Sequence, residues 1–265
     1  MKLKNFYTEH ESSILGTGFI VVLLALWESV PLWYALPKGM ALFFTTPSKI
    51  AAAFYQLLLN GEIEKHFYVS AIAFLAGLGL SIVVGLPLGL IMGRSATLED
   101  LLDPYVTASN ATPRIIFLPL LILWFGIGIW SKIAIVFAGA VFPLLINTYV
   151  GVKNVNRVLV NVVRSFGASE WQVMKIVVLP NSVPYIIAGL RLAIGRAILG
   201  VVVGEFFGSS QGLGYMIASA ATNYKVDVVF VGVVIFMALS VILTFSVKAL
   251  ESRLASWRPE TAKTF

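Results

Sequence analysis

Apolar residues in this chain come in long runs. Six of them, at 14–36, 67–93, 104–126, 131–152, 181–207 and 228–248, reach or approach the length of about 20 residues that a helix needs to cross a hydrocarbon core of about 30 Å. The second run is the clearest, with no charged residue between Lys65 and Arg94. The fourth, from Ile133 to Val152, and the sixth, from Val228 to Val247, are also uncharged. The third contains Arg114, and the fifth contains Arg191, Arg196 and Glu205. The first run is longer than the apolar region of a secretory signal and no small-residue cleavage site follows it, so it reads as a retained helix. The pattern predicts an all-α, multi-pass membrane protein with six transmembrane helices.

Composition sharpens this reading. Of the 265 residues 58% are hydrophobic and 12% charged, with mean hydropathy +0.90, against about 25% charged in soluble domains. So large an apolar excess does not fit inside one aqueous core. The chain has no cysteine, which excludes disulfides and thiolate metal sites. His10 and His66 lie outside the apolar runs and too far apart to form a metal-binding helical pair, so no metal site is expected. A net charge of +6 raises nucleic acid as a partner, yet the cations fall mostly between apolar runs with no interleaved aromatics. They read as topology markers, and no nucleic acid is expected.

Lysine and arginine in short loops stay on the cytoplasmic side. With the N-terminus inside, that side holds Lys2, Lys4, Arg94, Lys153, Arg157, Arg164, Lys175, Lys248, Arg253, Arg258 and Lys263. The outside holds Lys38, Lys49, Lys65, Lys132 and Lys225. Both termini are therefore expected in the cytoplasm. Two connections are long, 37–66 outside and 151–180 inside. In the outer one Ser48 is placed to cap a short amphipathic helix on the membrane surface, or the segment is a loop packed on the bundle.

Ala73, Gly77, Ser81, Gly85, Gly89 and Gly93 recur every fourth residue, and Gly200, Gly204 and Gly208 repeat the pattern in the fifth run. Such stripes let a neighbouring helix approach closely. Prolines at 87, 104, 113, 119, 143 and 184 predict kinks, with the third helix bending midway at Pro119.

The stretch from Asn161 to Arg196 carries most information. A first helix ends at Gly167, a positive-φ C-cap. Ser169 opens a second, with Gln172 completing a capping box. Trp171, Met174 and Val178 then form an apolar stripe facing away from Glu170 and Lys175, and Leu179 and Pro180 stop the helix before the fifth run. A short amphipathic helix across the cytoplasmic ends of a bundle is a natural peg for a partner.

The spacing Gly167, nine residues, Val177, Leu179, Pro180 resembles the loop of ABC-importer permeases that runs Glu-Ala-Ala, three residues, Gly, nine residues, Ile-x-Leu-Pro. Asn161, Val162 and Val163 stand at the Glu-Ala-Ala positions, and the Gly and Leu-Pro match outright. The strings RSFGAS, LPNSVPYIIAGLRLAIGRAILGVVVGEFFGSSQGLGYMI, RIIFLPLLILWFGIGIWSKI and FPLLINTYVGV are similar to the sulfonate, taurine and nitrate branch, and the resemblance runs from about Thr46 to Leu250.

That resemblance implies a type I ABC importer permease fold, one transmembrane permease domain over 1–265 with its core at 67–250, in a bacterial inner membrane. It implies a coupling segment at 151–180 in which Arg164, Gly167, Ala168, Ser169, Glu170, Trp171, Gln172, Met174, Lys175, Leu179 and Pro180 meet an ATPase. It further implies two ATPase copies, which bind the ATP and Mg, a second permease copy and an external solute-binding protein. The chain itself is expected to bind no cofactor and to hydrolyse nothing, and it carries no Gly-x-x-x-x-Gly-Lys-Ser/Thr loop.

Ionisable groups inside spans are functional candidates. Arg191 and Glu205 are separated by about 21 Å along a straight helix and cannot pair within it. Arg191 can snorkel to headgroups. Arg114 and Arg196 are deeper and offer positive potential to an anionic solute, or hydrogen bonds to neighbouring carbonyls. Glu205 repels an anion, so an arginine is its expected partner. The glycine-rich outside loop 208–217 is a re-entrant turn, a gate or a simple connection. The alternative function is an ion-gradient-driven secondary transporter, which requires midplane carboxylates or inverted repeats; an intramembrane enzyme requires a buried nucleophile with a base.

Overall fold

A computed structural model describes residues 2–33, 37, 39 and 42–254, with side chains from residue 15 onward. Lys38, Arg258 and Lys263 of the charge count lie outside these residues, as do the side chains of Lys2, Lys4 and His10 and the end of the first run at 34–36. Every regular element among the described residues is helical. The helices are α1 (Lys2–Trp33), α2 (Pro47–Leu59), α3 (Glu62–Arg94), α4 (Ala96–Ala111), α5 (Leu118–Phe125), α6 (Ile129–Lys153), α7 (Arg157–Ser165), α8 (Glu170–Val173), α9 (Leu179–Phe207), α10 (Leu213–Thr222) and α11 (Val226–Leu254). Among the described residues five helices are long and apolar enough to cross a membrane, and six spans result if the bent pair of α4 and 114–125 counts as one.

That pair is the third predicted span, and it breaks by 90°. The break falls at Thr112–Pro113 instead of Pro119. Proline forces the residue before it out of the helical region, and Thr112 is extended at φ −72°, ψ 129°. Pro119 instead sits in the first turn of α5, where the N–H it lacks has no helical acceptor to lose.

The chain divides into two compact units. One comprises residues up to 63 and 216–233. In it Trp27 donates from Nε1 to the Thr45 carbonyl at 2.9 Å, and Glu28 accepts from the Ser48 amide at 2.9 Å and the Ser48 hydroxyl at 2.7 Å. Ser48 is therefore not the cap of α2; Thr46 holds that position and Pro47 follows in the first turn.

The other unit, 64–215 and 234–254 among the described residues, holds the main core. Leu78, Val136, Ala140, Leu144, Ile187, Ala193, Ala197 and Val201 form its buried cluster around α6. Small residues allow this packing. A Cβ at Gly77, Gly89 or Gly93 would lie 2.5–2.6 Å from Val136, Leu145 or Val152 of α6, and one at Gly85 3.1 Å from the Val141 carbonyl. Ser81 is fully buried in the same stripe and donates to the Gly77 carbonyl at 2.8 Å, with the Phe137 carbonyl of α6 at 3.2 Å. From the other side α9 reaches α6 through Gly200 and Gly204, where a Cβ would lie 2.9 Å from Val136 Cα and from Ile135 Cγ2. Backbones this close gain dispersion contacts where lipid supplies no hydrophobic drive.

Candidate functional site

Local sequence builds the 151–180 segment almost residue by residue. Helix α7 ends in a Schellman motif: Gly167 adopts φ +80°, its amide donates to the Arg164 carbonyl at 2.9 Å, and the Ala168 amide donates to Val163 at 3.3 Å. Ser169 then caps α8. Its amide donates to Gln172 Oε1 at 2.7 Å and its hydroxyl accepts from the Gln172 amide at 3.4 Å, the reciprocal capping box.

Beyond this cap the chain departs from expectation. Leu179 and Pro180 do not stop the helix, because Met174–Val178 form a π turn that runs straight into α9. A proline in a continuing helix removes one hydrogen bond and crowds the carbonyl four residues back. In the wider turn the Leu179 amide reaches back five residues to Met174, and just beyond it the Asn181 and Ser182 side chains donate to the Val177 and Val178 carbonyls at 2.7 and 2.8 Å. The same widening splits the predicted apolar stripe. Trp171 is 74% exposed, Met174 is half-buried, and Val173 and Val178 turn into the protein body. Lys175 and Leu179 are exposed.

Glu170, at the start of α8, bonds to two arginines. Arg164 Nε donates to it at 2.9 Å, and Arg94, at the end of α3, pairs with the same carboxylate. Arg94 was not among the predicted site residues; only its place in the charge count could have drawn attention to it.

Arg114 and Arg196 line a single cavity of about 430 Å³ between the broken span, α6 and α9. Arg114 donates from Nε to the Ala138 carbonyl at 3.0 Å and from Nη2 to Asn110 Oδ1 at 3.0 Å, and stands 5.8 Å from the Phe142 ring. Arg196 is exposed, and a Cβ at Gly139 would lie 3.1 Å from its carbonyl oxygen. Arg191 belongs elsewhere, paired with Glu251 at 2.6 Å.

Glu205 is fully buried, and its partner is a lysine where an arginine was expected. Both carboxylate oxygens accept from Ser70 Oγ at 2.8 Å, Oε2 accepts from the Gly214 amide at 2.8 Å, and Lys132 Nζ lies 3.8 Å from Oε1. Lys132, counted among loop cations in the sequence, is 2% exposed and donates to the Gln211 carbonyl at 2.7 Å. His66, placed outside the apolar runs, is buried in α3 and accepts the Gly212 amide at Nδ1, 3.0 Å away. The loop 208–215 is thus fastened along its length to α3, α6 and α9. Among the described residues no cluster of His, Asp and Glu could hold a metal ion.

Comparison with known proteins places this geometry. Residues 85–256 match the family described as binding-protein-dependent transport system inner membrane component. A Bacillus subtilis protein named as an aliphatic sulfonates transport permease is 37% identical over 89% of this chain and 85% of its own length. The taurine transport system permease protein of Escherichia coli is 31% identical over 93% and 90%. The formylaminopyrimidine transport permease protein of Halalkalibacterium halodurans is 32% identical over 91% and 95%. A chain of the inward-facing MetNI methionine ABC transporter superposes with TM-score 0.65 at 19% identity, covering 74% of this chain and 96% of that one. The architecture is the type I ABC importer permease fold.

Proposed function

As this chain belongs to the binding-protein-dependent transport system inner membrane components, we propose that it forms the path of an importer for a small anion of the sulfonate, taurine or nitrate kind, with segment 151–180 docked on a separate ATPase. Permeases of this family are transport subunits, not enzymes. In this reading ATP and Mg belong to the ATPase, present in two copies, and a second permease copy and an external solute-binding protein complete the assembly. Both termini and the 151–180 segment face the cytoplasm.

One observation carries the reading. The peg α8 continues through the π turn into α9 as one helical rod from Glu170 to Phe207. A rod of this kind transmits a push at Trp171 to Gly200 and Gly204, where α9 lies against α6. Closure of the ATPases on nucleotide then biases a two-state rearrangement of the bundle. The Arg114 and Arg196 cavity supports an anionic solute, since two guanidinium groups beside one space give it a positive potential. A gradient-driven mechanism needs an acid available for ion coupling, and the oxygens of Glu205 are engaged by Ser70, Gly214 and Lys132.

The test is reconstitution in liposomes with the ATPase. Vanadate-sensitive uptake of taurine or an alkanesulfonate, stimulated by loaded binding protein, supports the proposal; uptake that persists without ATP and collapses with the proton gradient contradicts it.

A further inference from the structure

Beside the peg lies a second charged cavity with no part in the proposed solute path. Arg94 ends α3, Lys153 ends α6, and Arg157 and Arg164 stand on α7; the four line one cavity of about 460 Å³. The cavity also has an apolar wall. Val152, Val173 and Val178 line it and belong to one buried cluster, and Val160 packs against them.

Two carboxylates reach these cations. Glu170 pairs with Arg94 and Arg164, and Glu99 pairs with Lys153 at 2.5 Å. Among the described residues Arg157 makes no ion pair. Four cations less two carboxylates leave a formal charge of +2 around one opening. The Asn161 side chain lines the same opening, and its amide is a further donor.

We propose that this cavity binds a phosphate group, taken from an anionic phospholipid headgroup or from free phosphate. The proposal rests on the reading that places 151–180 at the cytoplasmic membrane face. Basic pockets at that face, between membrane helices, are where anionic headgroups settle. The cavity opens at the ends of two apolar spans, the level at which headgroups lie, and its valine wall suits the glycerol and first methylenes of a lipid. Position also gives the site a consequence. Arg94 and Arg164 hold Glu170 at the start of the peg, so a bound phosphate competes with that carboxylate for the same guanidinium groups and loosens the peg from α3 and α7.

The experiment uses the full chain in nanodiscs of phosphatidylcholine alone or mixed with phosphatidylglycerol, with lipid retained after detergent extraction read by mass spectrometry. Inorganic phosphate is titrated separately against the melting temperature in phosphatidylcholine. Selective retention of phosphatidylglycerol, weakened about fivefold by Arg157→Gln and unchanged by Arg253→Gln, assigns the lipid source; one basic side chain contributes about that much to headgroup binding. Stabilisation by phosphate that Arg157→Gln weakens, without lipid selectivity, assigns the free anion. Neither effect, or equal losses in both variants, overturns the site. Labelling of an Asn154→Cys variant from each side of the membrane reports the sidedness independently, so an inward-facing segment without phosphate binding refutes the cavity alone.

Discussion

Gly212 lies directly against the Glu205 carboxylate: a Cβ on Gly212 would lie 2.2 Å from the Glu205 carboxyl carbon. The contact lets the loop backbone lie directly on a buried carboxylate, and Gly212 also adopts φ +123°, which L side chains rarely reach. Gly212→Ala is expected to cost about 2–4 kcal/mol, from backbone strain and overpacking together. Thermal unfolding in detergent measures it, with Gly195→Ala as a control, since nothing lies within 4 Å of a Cβ there. Equal melting temperatures for the two variants contradict the fastened loop.

The Lys132–Glu205 pair is expected to be non-additive. Lys132→Met alone leaves a buried carboxylate short of its cation and costs about 3–5 kcal/mol. Adding Glu205→Gln removes that uncompensated charge, so the double variant loses less than the sum of the singles. Additive losses in a double-mutant cycle would show that the pair does not interact.

Two glycines of α3 separate packing from helix propensity. Gly89→Ala places a methyl 2.6 Å from the Leu145 carbonyl, and about 1–3 kcal/mol is lost. Gly79 has nothing within 4 Å, so Gly79→Ala is expected to stabilise the helix by about 0.5–1 kcal/mol. Opposite shifts in melting temperature are the expected result.

Sequence reasoning reached furthest where local rules govern. The Gly167 C-cap, the Ser169 and Gln172 box and the every-fourth-residue stripe of α3 each depend on residues within one or two turns, and the structure has all three. It failed where distant segments decide. Lys132 and His66 look like loop residues because their burial depends on a loop some 80 to 146 positions away, closing over them from Gln211 and Gly212. Pro180 reads as a stop signal, but it follows a π turn that joins the two helices, a change of helical register that no local residue pattern announces. Pro113 and Pro119 are both plausible bends, and their places relative to helix starts, which sequence fixes only loosely, decide between them.

Uptake should depend on the shared arginine cavity. Arg114→Gln and Arg196→Gln are each expected to lower transport of a sulfonate or nitrate several-fold while leaving ATPase assembly intact, and an uncharged analogue should be less affected. Radiolabelled uptake in proteoliposomes measures this; equal losses for charged and uncharged solutes argue for a purely structural role.

Coupling should be separable from folding. Gly167→Pro replaces φ +80° with the fixed φ of about −65° and removes the amide bonded to Arg164, so the peg is misdirected while the spans still insert. Coupled uptake is expected to vanish. Trp171→Ala keeps the backbone and is expected to weaken ATPase binding by about 2 kcal/mol, near 30-fold, as for an exposed aromatic anchor.

The most direct measurement places single cysteines at Ser169 and Trp171 in a chain that has none of its own. Crosslinking in intact cells and inverted vesicles is predicted to join both positions to the ATPase, with labelling by impermeant reagents from the cytoplasmic side alone. Labelling of either position from outside intact cells, with no crosslink to the ATPase, contradicts the account.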